Sequence, residues 1–184
     1  EREFDTVYDF STLMIQDRVV PPVITEARHL YNQDGDYTLR LSGAAYKIES
    51  QARFSSVPPS WREYLSFPLP SFDRTSLASA LVPRSDEEER VWKLAVRDGW
   101  RQGVEQANLM LTYGFDRMNR DIDGMRRFSE FARHGQVTLL IISGAAIPVT
   151  KDGRNMAVAA TLLRITALPE LNDNRTVWRR SIPP

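Results

Sequence analysis

Between Ser85 and Gly135 the chain carries a single helical signal some fifty residues long, and any fold must accommodate it. Ser85 is a good N-cap, and Glu88 stands three residues later as in a capping box. Asp86, Glu87, Glu88 and Glu89 set negative charge on the positive end of the helix dipole. At the far end Arg126, Arg127, Arg133 and His134 set positive charge on the negative end, and Gly135 suits the C′ position. An apolar or small stripe joins the two ends. It runs through Trp92, Val96, Gly99, Gly103, Ala107, Met110, Gly114, Met118, Ile122 and Met125 in steps of three or four residues, as a buried helix face requires. Unbroken, such a helix is ~73 Å long at 1.5 Å per residue. That exceeds the width of a compact domain of this size, so a bend or break at Gly114 or Gly124 is expected. Two helices of ~25 and ~18 residues are the alternative.

The rest of the chain reads as strands and short helices. Phe4, Val7, Tyr8, Met14 and Ile15 suggest a short amphipathic helix over 4–17. Pro21-Pro22 breaks it. A second short helix with Ile24, Ala27, Leu30 and Tyr31 on one face is expected to end in the turn residues Asn32-Gln33-Asp34-Gly35. Tyr37, Leu39 and Leu41 alternate with polar neighbours. After a turn at Ser42-Gly43, Tyr46, Ile48, Ser50, Ala52 and Phe54 alternate with Lys47, Glu49, Gln51 and Arg53. That period of two predicts a hairpin with one wet face. Pro58-Pro59 ends it, and Trp61–Leu65 fits one helical turn. Residues 67–84, with three prolines and several serines, read as an irregular surface connection. Val137–Val149 and Ala157–Leu168, separated by Lys151-Asp152-Gly153, read as a second hairpin. The run 137–149 is too short and broken to span a bilayer as a helix, and a buried core strand is favoured over lipid contact. The fold class is therefore α+β: two β-hairpins forming antiparallel sheet, short N-terminal helices and one long helix, straight or bent, at about 86–134. A single domain is expected over 1–168, with 169–184 as a tail ordered by a partner.

Composition narrows the function. Apolar residues make up 42% and charged residues 26% of 184, the profile of a globular chain. Lys and Arg total 24 and so do Asp and Glu, so neither the basic excess nor the basic stripe of a nucleic-acid binder is present. The absence of cysteine removes disulfides, thiolate catalysis and Cys-ligated zinc. The opening Glu1-Arg2-Glu3 has the look of a processed chain, which would put any targeting signal upstream.

Candidate chemistry is sparse. His29 and His134 lack a metal partner at helical spacing, and His134 is accounted for by its place at a helix C-terminus. No G-x-S-x-G, Walker A or G-x-G-x-x-G sequence occurs. Asn32, Asp34 and Asp36 around Gly35 resemble a calcium loop only in part, because the glycine is displaced and the twelfth-position glutamate is missing. A turn before a strand explains them. No catalytic, cofactor-binding or metal-binding residue is assigned, and no cofactor is expected. The most informative spacing is Gly99-x-x-x-Gly103-x-x-x-Ala107. Two glycines one turn apart cost about 1 kcal/mol each against alanine in a helix, so they imply close approach of another backbone or a bulky side chain. Packing within the chain or contact with another subunit both satisfy this. Gly99, Gly103 and Ala107, with Trp61, Pro58 and Pro59, are the candidate packing or subunit-contact residues.

Four stretches carry a resemblance: VVPPVITEARHLYN at 19–32, YKIESQARFSSVPPSWREYL at 46–65, VWKLAVRDGWRQGVEQAN at 91–108 and LLRITALPELN at 162–172. In content and order they are similar to the DotC family, the lipoproteins of type IVB (Dot/Icm) secretion systems and of related IncI-type conjugation systems. The likeness is weakest over 137–160. It implies a periplasmic lipoprotein anchored to the outer membrane through a lipidated Cys upstream of this chain. It also implies a multimeric ring assembly with a DotD-like lipoprotein and a DotH-like channel protein, no direct contact with nucleic acid, and a structural rather than enzymatic role. The rival expectations are a periplasmic module binding a small ligand or peptidoglycan and, more weakly, a hydrolase using carboxylates such as Glu63 and Asp73.

Overall fold

The computed structural model describes residues 2–33, 38–68, 82–147, 150–152, 155–157 and 160–178. Its elements follow in the order α1 (Arg2–Val7), β1 (Val19–Val20), β2 (Val23–Gln33), β3 (Leu39–Ser50), β4 (Arg53–Phe54), α2 (Arg62–Leu65), α3 (Asp86–His134), β5 (Ile141–Ile147), β6 (Thr150–Asp152), β7 (Asn155–Ala157) and β8 (Ala160–Ala167). The class is α+β, with antiparallel strand pairs, a short N-terminal helix and one long helix. The chain divides into two compact units. One joins Glu1–Ser60 to Asn119–Pro184, and the other is Trp61–Met118.

In the first unit α1 stops at Val7, short of the helix expected over 4–17. Asp9 Oδ1 accepts from the backbone N–H of Ser11 at 2.9 Å, and a 3₁₀ turn at Ser11–Leu13 follows. Ile15 and Val19 then exchange backbone bonds around a tight reversal in which Gln16 and Asp17 both take positive φ, 52° and 54°.

The second expected helix is instead strand β2, antiparallel to β3. Ile24, Ala27 and Leu30 do lie at helical spacing, but Val23-Ile24-Thr25 is β-branched and follows a Pro pair. Pairing with β3 satisfies the backbone groups along one edge of the strand. The turn expected at Ser42-Gly43 is likewise absent, because β3 runs through both residues and its partner is β2. The reversal falls between Gln33 and Leu39, and residues 34–37, including Asp34, Gly35 and Asp36, lie outside the described residues. The buried face read for 46–54 forms only in part: Ile48 is half-buried and Ala52 buried, while Tyr46, Ser50 and Phe54 are exposed. Ile48 packs at the core, and Tyr46 meets Phe131 edge-on at 4.9 Å between ring centroids.

The core of this unit forms where the C-terminal third of α3 crosses the β2–β3 hairpin. Ile24, Phe128 and Val137 are its buried centre. Gly124 permits the approach: a Cβ there would collide with Val23 Cγ1 and lie 3.0 Å from Ile24 N and 3.2 Å from Ile24 O. The helix ends as its sequence predicts. Gly135 has φ +71°, Gln136 N–H donates to Phe131 O at 2.9 Å, and Gly135 N–H donates to Ala132 O, a Schellman closure.

The segment after β8, expected to be a loose tail from 169, is bonded into this unit as far as it is described. Pro169 is fully buried and accepts from Gln51 Nε2 at 3.1 Å. Thr138 N–H donates to Glu170 O, Asn172 N–H to Gln136 O, and Trp178 Nε1 to Asn172 O. The hairpin of β5 with β8 forms as expected, extended by β6 and β7, with Asp152 paired to Asn155 about the reversal. Its burial differs from the expectation. Most of β5 is exposed, with Ile141 58% accessible, because its only paired neighbour is β8 and no third strand or helix covers it among the described residues.

In the second unit α3 begins at its capping signal. Ser85 Oγ accepts from Glu88 N–H at 3.3 Å, while the Glu88 carboxylate reaches back to Arg84 N–H at 2.7 Å. No break occurs at Gly114 or Gly124, and α3 is a single element of 49 residues. Gly114 is again a point of close approach: a Cβ there would lie 2.6 Å from Tyr64 O of α2 and 3.0 Å from Leu65 Cδ2. Arg117 secures that contact, donating to Glu63 O at 3.0 Å with its guanidinium 4.8 Å from the Tyr64 ring centroid. The expected irregular connection lies over 69–81, outside the described residues.

Candidate functional site

The largest chemical feature of the described surface is the first half of α3. From Asp86 to Tyr113 every residue is exposed. At 100° per residue the charged and polar side chains Arg90, Arg97, Asp98, Arg101, Glu105 and Asn108 gather on one side. Away from them stand Trp92, Val96, Trp100 and Met110, while Val91, Leu94, Val104, Leu109 and Leu111 are exposed elsewhere around the helix. Trp100 is 76% exposed and Tyr113 68%. An open groove of about 840 Å³ runs between Pro83-Arg84-Ser85 and this face, with Trp92, Val96 and Trp100 as its apolar wall.

The residues singled out from the sequence fall in three places. Gly99, Gly103 and Ala107 lie along the exposed side of α3, and a Cβ at Gly99 or Gly103 would meet no atom within 4 Å. Packing within the chain, one of the two readings of these glycines, thus finds no neighbour among the described residues. Trp61 opens α2, half-buried, with the Arg62 guanidinium 4.3 Å from its ring centroid. Pro58 is half-buried and Pro59 buried, in the other unit. The glycines that serve close packing are Gly114 and Gly124. Gly114 lies on the stripe read from the sequence, where spacing alone does not separate it from Gly99 and Gly103, and Gly124 stands one residue before the last member, Met125.

Titratable groups form small local clusters. Arg28 Nε donates to Glu26 Oε1 at 2.6 Å. Arg127 Nη2 approaches Glu26 Oε2 at 3.4 Å while its Nη1 donates to Ile24 O at 2.7 Å. The Arg28 hydrogen bond, chiefly, holds the Glu26 carboxyl below the usual range. Lys47 does the same for Glu49 at 2.8 Å, and Ser11 for Asp9. Arg127 ties α3 to β2, while the Arg28, Lys47 and Ser11 contacts each stay within one short segment. His29 is exposed on β2 with φ 54°, and His134 is half-buried at the end of α3. Among the described residues no group of three or more His, Asp or Glu side chains could hold a metal ion, and no helix is long and apolar enough to cross a membrane.

The fold and its surface thus define an α+β protein whose most conspicuous feature, among the described residues, is a long helix with every residue of its first half exposed. A family profile described as "Type IV secretory system, conjugal DNA-protein transfer" matches residues 1–180. The chain belongs to that family and is a component of a conjugal type IV secretion system. A comparison with curated proteins found no match.

Proposed function

We propose that this chain is a structural scaffold subunit of the outer-membrane core complex of a type IVB secretion or conjugation system, where it helps seat the channel protein. The observation that carries the reading is the set of exposed apolar side chains along the first half of α3 in a member of a conjugal secretion family. A surface of this character on a folded protein marks a place that another macromolecule covers. The resemblance of 46–65 and 91–108 to DotC-type lipoproteins supports the outer-membrane placement. Its partners in this reading are a DotD-like lipoprotein and a DotH-like channel protein, and its anchor is a lipidated Cys upstream of Glu1. Two or more acyl chains at about 0.8 kcal/mol per buried CH₂ hold such a protein stably on a membrane. It acts by shape, without turnover.

The test is made on the full precursor in its native host. Radiolabelled palmitate should enter the protein, it should fractionate with outer membrane, and affinity purification should return the channel protein with it. A precursor with no export signal, or a protein recovered alone from the cytoplasm, overturns the reading. His29→Ala/His134→Ala should transfer substrate at the parent's level, and a folded, assembled but transfer-dead double variant refutes the non-enzymatic role.

A further inference from the structure

We infer that the free edge of β5 is a pairing edge, and that its occupant is β5 of a second copy of this chain, laid antiparallel about Gly144 so that two hairpins become one four-stranded sheet. The inference stands apart from the placement at the outer membrane and depends only on the β5–β8 hairpin.

The state of the edge is the first argument. β5 bonds to β8 along one edge, and no strand pairs with its other edge among the described residues. A free edge turns N–H and C=O groups outward at alternate residues, a template that another extended backbone fills. Proteins ordinarily blunt such edges with charge, proline or a kink. The other long strands of this chain do so. β2 carries Glu26 and Arg28 and takes φ 54° at His29, and β3 carries Lys47 and Glu49. β8 carries Arg164 and holds the extra residue, Thr166, where the register shifts opposite Ile141-Ile142. β5 is Ile-Ile-Ser-Gly-Ala-Ala-Ile, without charge, proline or an extra residue of its own, and Ser143, Gly144, Ala145 and Ala146 are all exposed. A sheet needs three or more strands for independent stability, and a lone hairpin is marginal in water. Two such hairpins joined edge to edge supply four.

Self-complementarity is the second argument, and it selects the occupant. Turned end for end about Gly144, β5 sets Ile141 against Ile147, Ile142 against Ala146, Ser143 against Ala145 and Gly144 against itself. Every position of the strand is accounted for, no pair brings a charge to the contact, and the isoleucines meet at its two ends. The register also obeys the pleat. Even-numbered residues meet even and odd meet odd, so the outward groups of one copy meet the outward groups of the other, and each face of the sheet continues across the join. A slip of one residue breaks both conditions. A slip of two leaves Ile141 and Ile142, or Ala146 and Ile147, beyond the partner's β5. The pairing is isologous, with each residue meeting the mate of its own mate. Each copy uses up its β5 edge on the other, so the assembly closes at two copies and does not run on into a fibre.

In sedimentation equilibrium the purified chain should rise with concentration from 21.1 kDa toward twice that mass and stop there. Ser143 and Ala145 are exposed, so charges placed on them leave the folded monomer intact. Ser143→Lys/Ala145→Lys sets lysine against lysine on both sides of Gly144 and should weaken the association at least tenfold with the circular dichroism unchanged. Ser143→Glu/Ala145→Glu should do the same by itself, and a mixture of the two double variants should pair again. The chain has no cysteine of its own. Under mild oxidation, Ser143→Cys mixed with Ala145→Cys should cross-link, while either alone should not. Directly opposed Cα atoms stand about 4.5–5.5 Å apart, within disulfide reach, and diagonal neighbours stand about 7–8 Å apart, beyond it. A monomer at every concentration overturns the inference and gives the edge to a strand of a different protein. Growth past twice the mass overturns the closed pair. Undiminished association of the lysine variant, or a charged mixture that stays monomeric, overturns the assignment of this edge. Cross-linking of Ser143→Cys with itself overturns the antiparallel register.

Discussion

Substituting alanine at two glycines of α3 should move stability in opposite directions, although both lie in the interior of one helix. Gly→Ala in a helix interior contributes about 1 kcal/mol through backbone entropy alone. At Gly99 nothing else changes, since the new methyl meets no atom within 4 Å. Gly99→Ala should therefore raise the unfolding free energy by about 1 kcal/mol, and a chain of this size gains about 2–4 °C in Tm for each such increment. At Gly124 the methyl must enter the space of Val23 Cγ1 and press on Ile24 N and O at 3.0 and 3.2 Å. Two of those three neighbours are backbone atoms of a paired strand and cannot step aside by changing rotamer. Overpacking of this kind costs about 1–3 kcal/mol. The upper end is expected here, because moving Ile24 O also loosens its 2.7 Å bond from Arg127. After the helix gain is set against it, Gly124→Ala should lose about 2 kcal/mol, or about 4–8 °C. Melting is followed by far-UV circular dichroism at a dilution where the parent sediments as a monomer. A Gly124→Ala protein that melts with or above the parent would falsify the close helix–strand approach, and a Gly99→Ala protein that melts lower would place a neighbour against that face within the monomer.

Other expectations concern the turns, the acid limb and the C-terminal segment. Gln16→Asn with Asp17→Gly places the preferred residues at the two positive-φ positions of the reversal and should raise stability by about 1 kcal/mol, read as a shift in urea midpoint. Glu26 and Glu49 titrate below their ordinary value of 4.5 in the folded protein, so their contribution is present above that pH and lost as pH falls through the lowered values. Stability from these two groups should thus be level from pH 7 to 5.5 and decline below about 4.5, and Glu26→Gln should flatten the decline. An unchanged acid limb in that variant removes Glu26 from the account. Ending the chain at Leu168 strips the bonds to Gly135, Gln136, Thr138 and Gln51. The amides of Gln136–Thr138 should then exchange with solvent at least tenfold faster, and unaltered protection contradicts the docking of residues 169–178.

What the sequence discloses and what it conceals follow from the range of the interactions. Both ends of α3 are legible because Ser85, Glu88 and Gly135 act on backbone groups a few residues away. The hairpin β5–β8 is legible because Asp152-Gly153 signals reversal locally. Strand β2 is misread because Ile24, Ala27 and Leu30 satisfy a helical period, and only the pairing with β3, up to 27 residues on, decides otherwise. The Gly99 and Gly103 spacing announces an approach without naming who approaches. Gly114 and Gly124 carry the same local signature yet serve contacts with α2 and β2, which lie tens of residues distant in the chain. Burial of β5 fails as an expectation because apolar content predicts a partner, and no covering layer lies among the described residues.

The division of the chain into two units has a consequence for biosynthesis. The first unit is discontinuous: its opening sixty residues pair strand to strand among themselves, but the helix and C-terminal segment that pack on them lie beyond residue 118. Ile24 accepts its arginine bond from a residue 103 positions later, and Gln51 donates to a proline 118 positions later. As the chain emerges from a ribosome at about 5–20 residues per second, the β2–β3 hairpin is made early and its apolar face stays bare for several seconds. The helix that covers it, and the segment that closes over Val137, arrive last. An isolated two-stranded hairpin is marginal in water, so the unit cannot complete itself until nearly the whole chain has been released. Stalled products ending before residue 118 are then substrates for proteolysis rather than folded fragments.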